Sequence, residues 1–237
     1  MINILFGLFG VCCAILIPVI LNMMPAKCFC DYDETPDERH ATPRVGKWSI
    51  LICGCILAAV FLIISNRQGL CIESIFICLL CMVLLMITIS DIRYCIIPDE
   101  LIIIGVIFAT ISVFPSILSG LTWINRLEPI LGAIVGAGSI FAINLLGQIL
   151  YNKDALGMGD LKLMIVCGIV CGPVGTVVAL LISLLSAGIW FGIGIAIKKI
   201  QAEAYLPLGP FLVFGTIFTL SFRPMIDAFL EWYISLI

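Results

Sequence analysis

Runs of about twenty apolar residues, separated by short polar segments, constrain this chain more than any other feature. A helix that crosses the roughly 30 Å hydrocarbon core of a bilayer needs about 20 predominantly apolar residues. Candidate spans lie at 2–24, 48–65, 73–90, 100–119, 128–150, 161–171, 174–197 and 207–222, with an amphipathic tail to 237. The stretch 161–197 is divided because 37 residues in one straight helix would rise about 55 Å at 1.5 Å each, well past the bilayer. Gly172-Pro173 offers a natural break. Composition agrees: 62% of the 237 residues are hydrophobic and 11% are charged, against roughly 25% charged in a soluble domain. The mean hydropathy of +1.26 makes the bilayer the main solvent. The expected fold is all-α, a polytopic membrane bundle of about eight helices. It forms a single domain over 1–237, with an N-terminal part at 1–66 and a core at 73–222. The first segment lacks a positive leading region and its apolar run is long, so a retained anchor is expected rather than a signal peptide.

Loop charges give the expected orientation. With eight spans, the segments 25–47, 91–99, 151–160 with its edge, and 198–206 face one side. They carry Lys27, Arg39, Arg44, Lys47, Arg93, Lys153, Lys162, Lys198 and Lys199, nine of the twelve basic residues. Arg67, Arg126 and Arg223 make up the other three. Basic loops stay in the cytoplasm, so both termini are expected outside it. The net charge of −3, without a basic cluster, points away from nucleic acid. Most of the twelve cysteines lie in apolar helices, at 12, 13, 53, 55, 78, 81, 167 and 171, where they are expected as small buried hydrophobes rather than a disulfide framework.

Two aspartates stand out on the basic side. Asp91 directly follows the span 73–90, at the C-terminal end of a helix, where the dipole opposes a negative charge. Asp160, in Gly157-Met158-Gly159-Asp160-Leu161-Lys162, opens the next apolar run, and an N-terminal cap is the plain alternative there. Pro98 with Asp99 and Glu100 reads as a helix start. Paired carboxylates are the chemistry of aspartic proteolysis: close carboxyls share one proton, so one serves as acid while the other activates water. The helix ends, with Lys162 nearby, suggest Asp160 as the resting base and Asp91 as the acid. A second reading uses the same carboxylates as ion or proton sites of a transporter. A third makes them caps in a structural subunit. In the helix 128–150, Asn144 and Gln148 share a face expected to point inward, and Gly132-x-x-x-Gly136 reads as a helix contact.

These residues resemble the prepilin peptidases, or type IV leader peptidases, which are membrane aspartic proteases of the Gly-x-Gly-Asp type. Asp91 to Asp99 is similar to the family's first motif, which ends in Pro98-Asp99 here. Gly157 to Lys162 is similar to its Gly-x-Gly-Asp-x-Lys motif, and Leu206-Pro207-Leu208-Gly209-Pro210-Phe211-Leu212 to its late Pro-x-Gly-Pro-Phe segment. The resemblance implies that Asp91 and Asp160 are the catalytic pair, supported by Gly157, Gly159, Lys162, Pro98 and Asp99. It implies removal of a short basic leader from prepilins or pseudopilins at the cytoplasmic face of the bacterial inner membrane, usually after a glycine. Bifunctional members carry two Cys-x-x-Cys pairs that bind zinc, and they methylate the new N-terminus. The loop 25–47 offers only Cys28-x-Cys30 and His40, a poor match for a tetrahedral site. No metal, no cofactor and no methyl transfer are therefore expected; the remaining acidic residues of that loop, Asp31, Asp33, Glu34, Asp37 and Glu38, read as a solvated surface.

Overall fold

A computed structural model describes residues 2–30, 47–69, 71–119, 123–151, 157–198 and 207–235. Seven α-helices follow in order: α1 (Ile2–Met23), α2 (Lys47–Gln68), α3 (Ile72–Tyr94), α4 (Asp99–Ser119), α5 (Trp123–Tyr151), α6 (Met158–Ala196) and α7 (Gly209–Ile234). A single 3₁₀ turn, Ala26–Phe29, follows α1, and no strand occurs among the described residues. The all-α expectation holds. Ile72–Tyr94, Arg126–Ile149, Met158–Ala196 and Gly209–Tyr233 are long and apolar enough to cross a bilayer, and the described parts of α1 and α2 form shorter apolar helices. The loop residues 31–46, including His40, lie outside the described residues.

The break in α6 falls where the sequence places it. Gly172 has φ 69° and ψ 175°, outside helical geometry and in the positive-φ region that only glycine enters freely. The chain reverses there. A β-carbon built on Gly136 would meet both the Met164 carbonyl and the Thr176 methyl, although those residues would stand about 18 Å apart along a straight helix. Contacts with α7 show the same reversal. Arg223 reaches Cys171, Gly215 lies against Ala179 and Ser183, and the Phe211 ring sits 5.1 Å from that of Phe191. The arm 173–196 therefore runs antiparallel to α7, while the arm 158–171 runs alongside it. α7 has its own irregularity at Phe222 (φ −114°, ψ 16°), two residues before Pro224, which cannot donate to the helix ladder. The helix continues past the expected span end at 222, and the apolar stretch runs to Tyr233.

Close backbone approach holds the bundle together. Carbonyl oxygens of α6 sit where β-carbons on Gly132 and Gly136 would stand, those of Gly168 and Met164 respectively. Gly132 in turn faces Gly168 from α5. Small residues permit this in a lipid setting, where helices gain by packing rather than by leaving water. The expected Gly132-x-x-x-Gly136 contact is observed. α3 runs through the core, with Cys78, Leu80, Cys81, Leu84 and Ile87 fully buried. The cysteine expectation needs one correction. Cys12 and Cys55 are exposed, each on a helix flank left uncovered by the described residues. All twelve are free thiols. Likewise Asn144 is half-buried but Gln148 is exposed, since it sits one turn nearer the end of α5.

Candidate active site

The first motif forms the end of α3 and the start of α4. Asp91 sits in the last turn of α3 and is only 5% exposed. The helix is stopped by Cys95 in the left-handed conformation (φ 54°), whose N–H donates to the Asp91 carbonyl at 2.9 Å. Ser90 Oγ donates to the Ile96 carbonyl at 2.7 Å and pins the following turn. Partial burial and the nearby Asp91 charge push the Cys95 thiol up. Pro98, buried, opens α4, and its carbonyl accepts from Leu101 and Ile102. The expected helix start is observed.

The second motif begins α6. Gly157 is the capping residue, extended at φ −75° and ψ 153°, and Asp160 is the third residue of the helix, 8% exposed. Its N–H donates to the Gly157 carbonyl at 3.2 Å, and its carboxylate lies near the Gly157 backbone. So Asp160 does interact with its helix end, though from the third position rather than as the cap. Gly159 has a different task. A β-carbon there would stand 3.2 Å from Ile97 Cβ, so the missing side chain lets the turn of the first motif pack onto the second.

The two carboxylates lie close enough to interact electrostatically. A third element completes the corner: the Gly209 N–H at the start of α7 donates to Asp91 Oδ2 at 2.9 Å in a buried hydrogen bond. This changes the picture drawn from local helix ends. Asp91 faces the C-terminal end of its own helix, but it also faces the N-terminal, positive end of α7. The premise for making Asp91 and Asp160 unequal by helix ends alone therefore does not hold.

Lys162 needs a second correction. It was expected beside Asp160, yet its ammonium binds both oxygens of Asp99, at 2.7 and 2.9 Å, with side chains 39% and 45% exposed. Residues two apart on a helix point to different faces. Lys162 thus ties α6 to α4 beside the dyad. Asp99 and Glu100 do stand in the first turn of α4, and both have partners beyond its dipole: Glu100 accepts the Cys28 thiol at 3.2 Å. The Cys30 thiol donates to the Ala26 carbonyl at 3.3 Å, and Phe29 stacks on Tyr94 with ring centres 5.3 Å apart. This N-terminal brace has no sequence signal, because the turn Ala26–Phe29 is more than sixty residues from its partners. No group of three or more metal-ligating side chains occurs among the described residues.

An apolar helical bundle in which two buried carboxylates meet at one end defines a membrane-protein class with an acidic site. Comparison with known proteins points the same way as the motifs. Residues 78–193, which contain both aspartates, match the type IV leader peptidase family. Over 143 residues the chain is 31% identical to a prepilin leader peptidase/N-methyltransferase of Pectobacterium carotovorum subsp. carotovorum, covering 57% of this chain and 47% of that protein. Both matches are to type IV leader peptidases, and the second spans about half the length of this relative. No solved structure matches it.

Proposed function

We propose that this chain is a membrane aspartic endopeptidase that removes the leader peptide from type IV prepilins or pseudopilins. The observation that carries the reading is the meeting of Asp91 and Asp160, both buried and interacting, at one end of the bundle. Two adjacent carboxylates in such a place share one proton. The protonated carboxyl polarises the scissile carbonyl while the carboxylate takes a proton from water, whose oxygen attacks the carbonyl carbon. Collapse of the tetrahedral intermediate breaks the C–N bond, and the acid side of the dyad protonates the departing amine. The dyad titrates as a unit.

The reversal at Gly172 supports eight crossings, with α6 contributing two arms. With eight, the basic segments around Arg93 and Lys162 face the cytoplasm and both termini lie outside it. The active site then opens to the cytoplasmic side of a bacterial inner membrane, where a basic leader would arrive. The substrate's apolar N-terminal segment would lie in the bilayer beside the bundle. Activity limited to peptide cleavage is the reading for the N-terminal loop, since the Cys28 and Cys30 thiols are both engaged within the protein.

The test is cleavage of a prepilin by the purified protein, followed by gel shift, with mass detection of any N-methylation. Loss of cleavage in both Asp91→Ala and Asp160→Ala is expected. Full cleavage in either variant would reject the dyad. No cleavage by the wild-type protein, with proton flux into vesicles abolished by either change, would replace the protease by a transporter.

A further inference from the structure

The first turn of α7 accounts for its backbone donors in an unusual way. Every helix start leaves N–H groups without an intrahelical partner. Here the capping residue is Leu208, whose side chain cannot accept a hydrogen bond. Pro210 has no N–H. Phe211 and Leu212 both donate to the Leu208 carbonyl, at 3.0 and 3.1 Å. The Gly209 N–H goes instead to Asp91 Oδ2, 118 residues away in sequence and buried. Asp91 thus caps α7 from another helix. The position also requires glycine, because a β-carbon there would stand 2.6 Å from Asp91 Oδ2 and 3.1 Å from its carboxyl carbon. Oδ1, by contrast, has no hydrogen-bond partner among the described residues.

The geometry assigns Gly209 as a positioning residue: its N–H holds Asp91 Oδ2 and so turns Oδ1 toward the reacting peptide. This rests on the dyad reading above. It gives the late Leu208-Gly209-Pro210 segment a specific task. Pro210 fixes the helix start without competing for the carboxylate, and Gly209 supplies both the donor and the room. Misplacement of a reacting group by about 1 Å can cost on the order of a hundredfold in rate. The expected signature is therefore a loss in kcat with substrate binding intact.

The experiment uses the full chain in detergent micelles. Its probe is a synthetic peptide with a basic leader ending in glycine, followed by an apolar helix. Replacing Gly209 by glycolic acid turns its amide into an ester, which removes the N–H and adds no atoms that could clash. A phenyllactic acid ester at Phe211 removes a neighbouring N–H that does not touch Asp91, and serves as the control. The Gly209 ester should lose roughly ten- to a hundredfold in kcat with KM within about twofold, while the Phe211 ester stays within about threefold of wild type. Gly209→Ala, which keeps the N–H but crowds the carboxylate, should lose at least as much as the Gly209 ester. Equal kcat for the two esters would overturn the inference, and so would a loss that merely tracks the fraction of unfolded protein in a thermal melt. Asp91→Asn is measured alongside. If it retains cleavage, the dyad reading itself fails. If it abolishes cleavage while the two esters match, only the role of Gly209 fails.

Discussion

The two ends of the bundle solve the same electrostatic problem with opposite outcomes. At one end, the N-terminus of α7 meets the Asp91 carboxylate through the Gly209 N–H. At the other, the first arm of α6 ends at the Gly172 break, and Arg223 Nη1 donates to the stranded Cys171 carbonyl at 2.7 Å. In each case a side chain of the sign that suits the helix end replaces a missing cap. The difference lies in what stands next to it. Arg223 has Asp227 one turn away, with Nε 3.7 Å from the carboxylate, and both side chains are well exposed. Asp91 has Asp160, a group of like sign, and both are buried. Compensated charge belongs to scaffolding. On the proposed reading, two carboxyls brought together out of water are held for chemistry.

Several changes would break or sharpen this contrast. Removing either dyad carboxyl, by Asp91→Ala or Asp160→Ala, should lower prepilin cleavage on the order of 10,000-fold, with little change in melting temperature. Gly168→Leu should damage both ends at once, because it drives a side chain into the α5 backbone around Gly132. A destabilisation of about 3 kcal/mol or more is expected, read as a fall in melting temperature and in yield. Lys162→Ala should cost roughly tenfold in kcat by loosening the two motif helices against each other. The exchange Lys162→Asp with Asp99→Lys should recover most of that loss, and failure to recover would return Lys162 to a role at Asp160. The smallest effect belongs to the far end. Arg223→Met should cost about 1 kcal/mol of stability, measured by thermal melting, with cleavage unchanged. A large loss of cleavage there would erase the distinction between the two ends.

What could be read from the sequence was whatever is local. The break at Gly172-Pro173, the start of α4 at Pro98 and the Gly132-x-x-x-Gly136 contact each depend on residues within a few positions of one another. Asp91 and Asp160 were legible because a carboxylate bordering an apolar run is conspicuous on its own. The partners of those residues were not. Gly209 and Asp91 are 118 residues apart, and Lys162 and Asp99 are 63 apart, so only the fold brings them together. For Lys162 nearness in sequence was misleading, since a separation of two on a helix turns a side chain away from its neighbour. For Asp91 the dipole of its own helix was visible and that of α7 was not. The exposure of Cys12 and Cys55 is illegible for a related reason: in a bilayer an apolar residue gains nothing by facing inward.

The reversal at Gly172 has a consequence for permeability. The arm from Met158 to Cys171 has 14 residues, which rise about 21 Å, roughly two thirds of a hydrocarbon core. Past its end lies a cavity of about 390 Å³, lined in part by Glu73, Ser112, Glu128, Gly172 and Arg223. If the chain is the protease proposed above, it must admit water to its carboxylates without admitting it through the membrane. On the proposed reading, what would separate that water from the far side is this short arm, whose Leu163, Met164, Val166, Cys167 and Val170 are all buried.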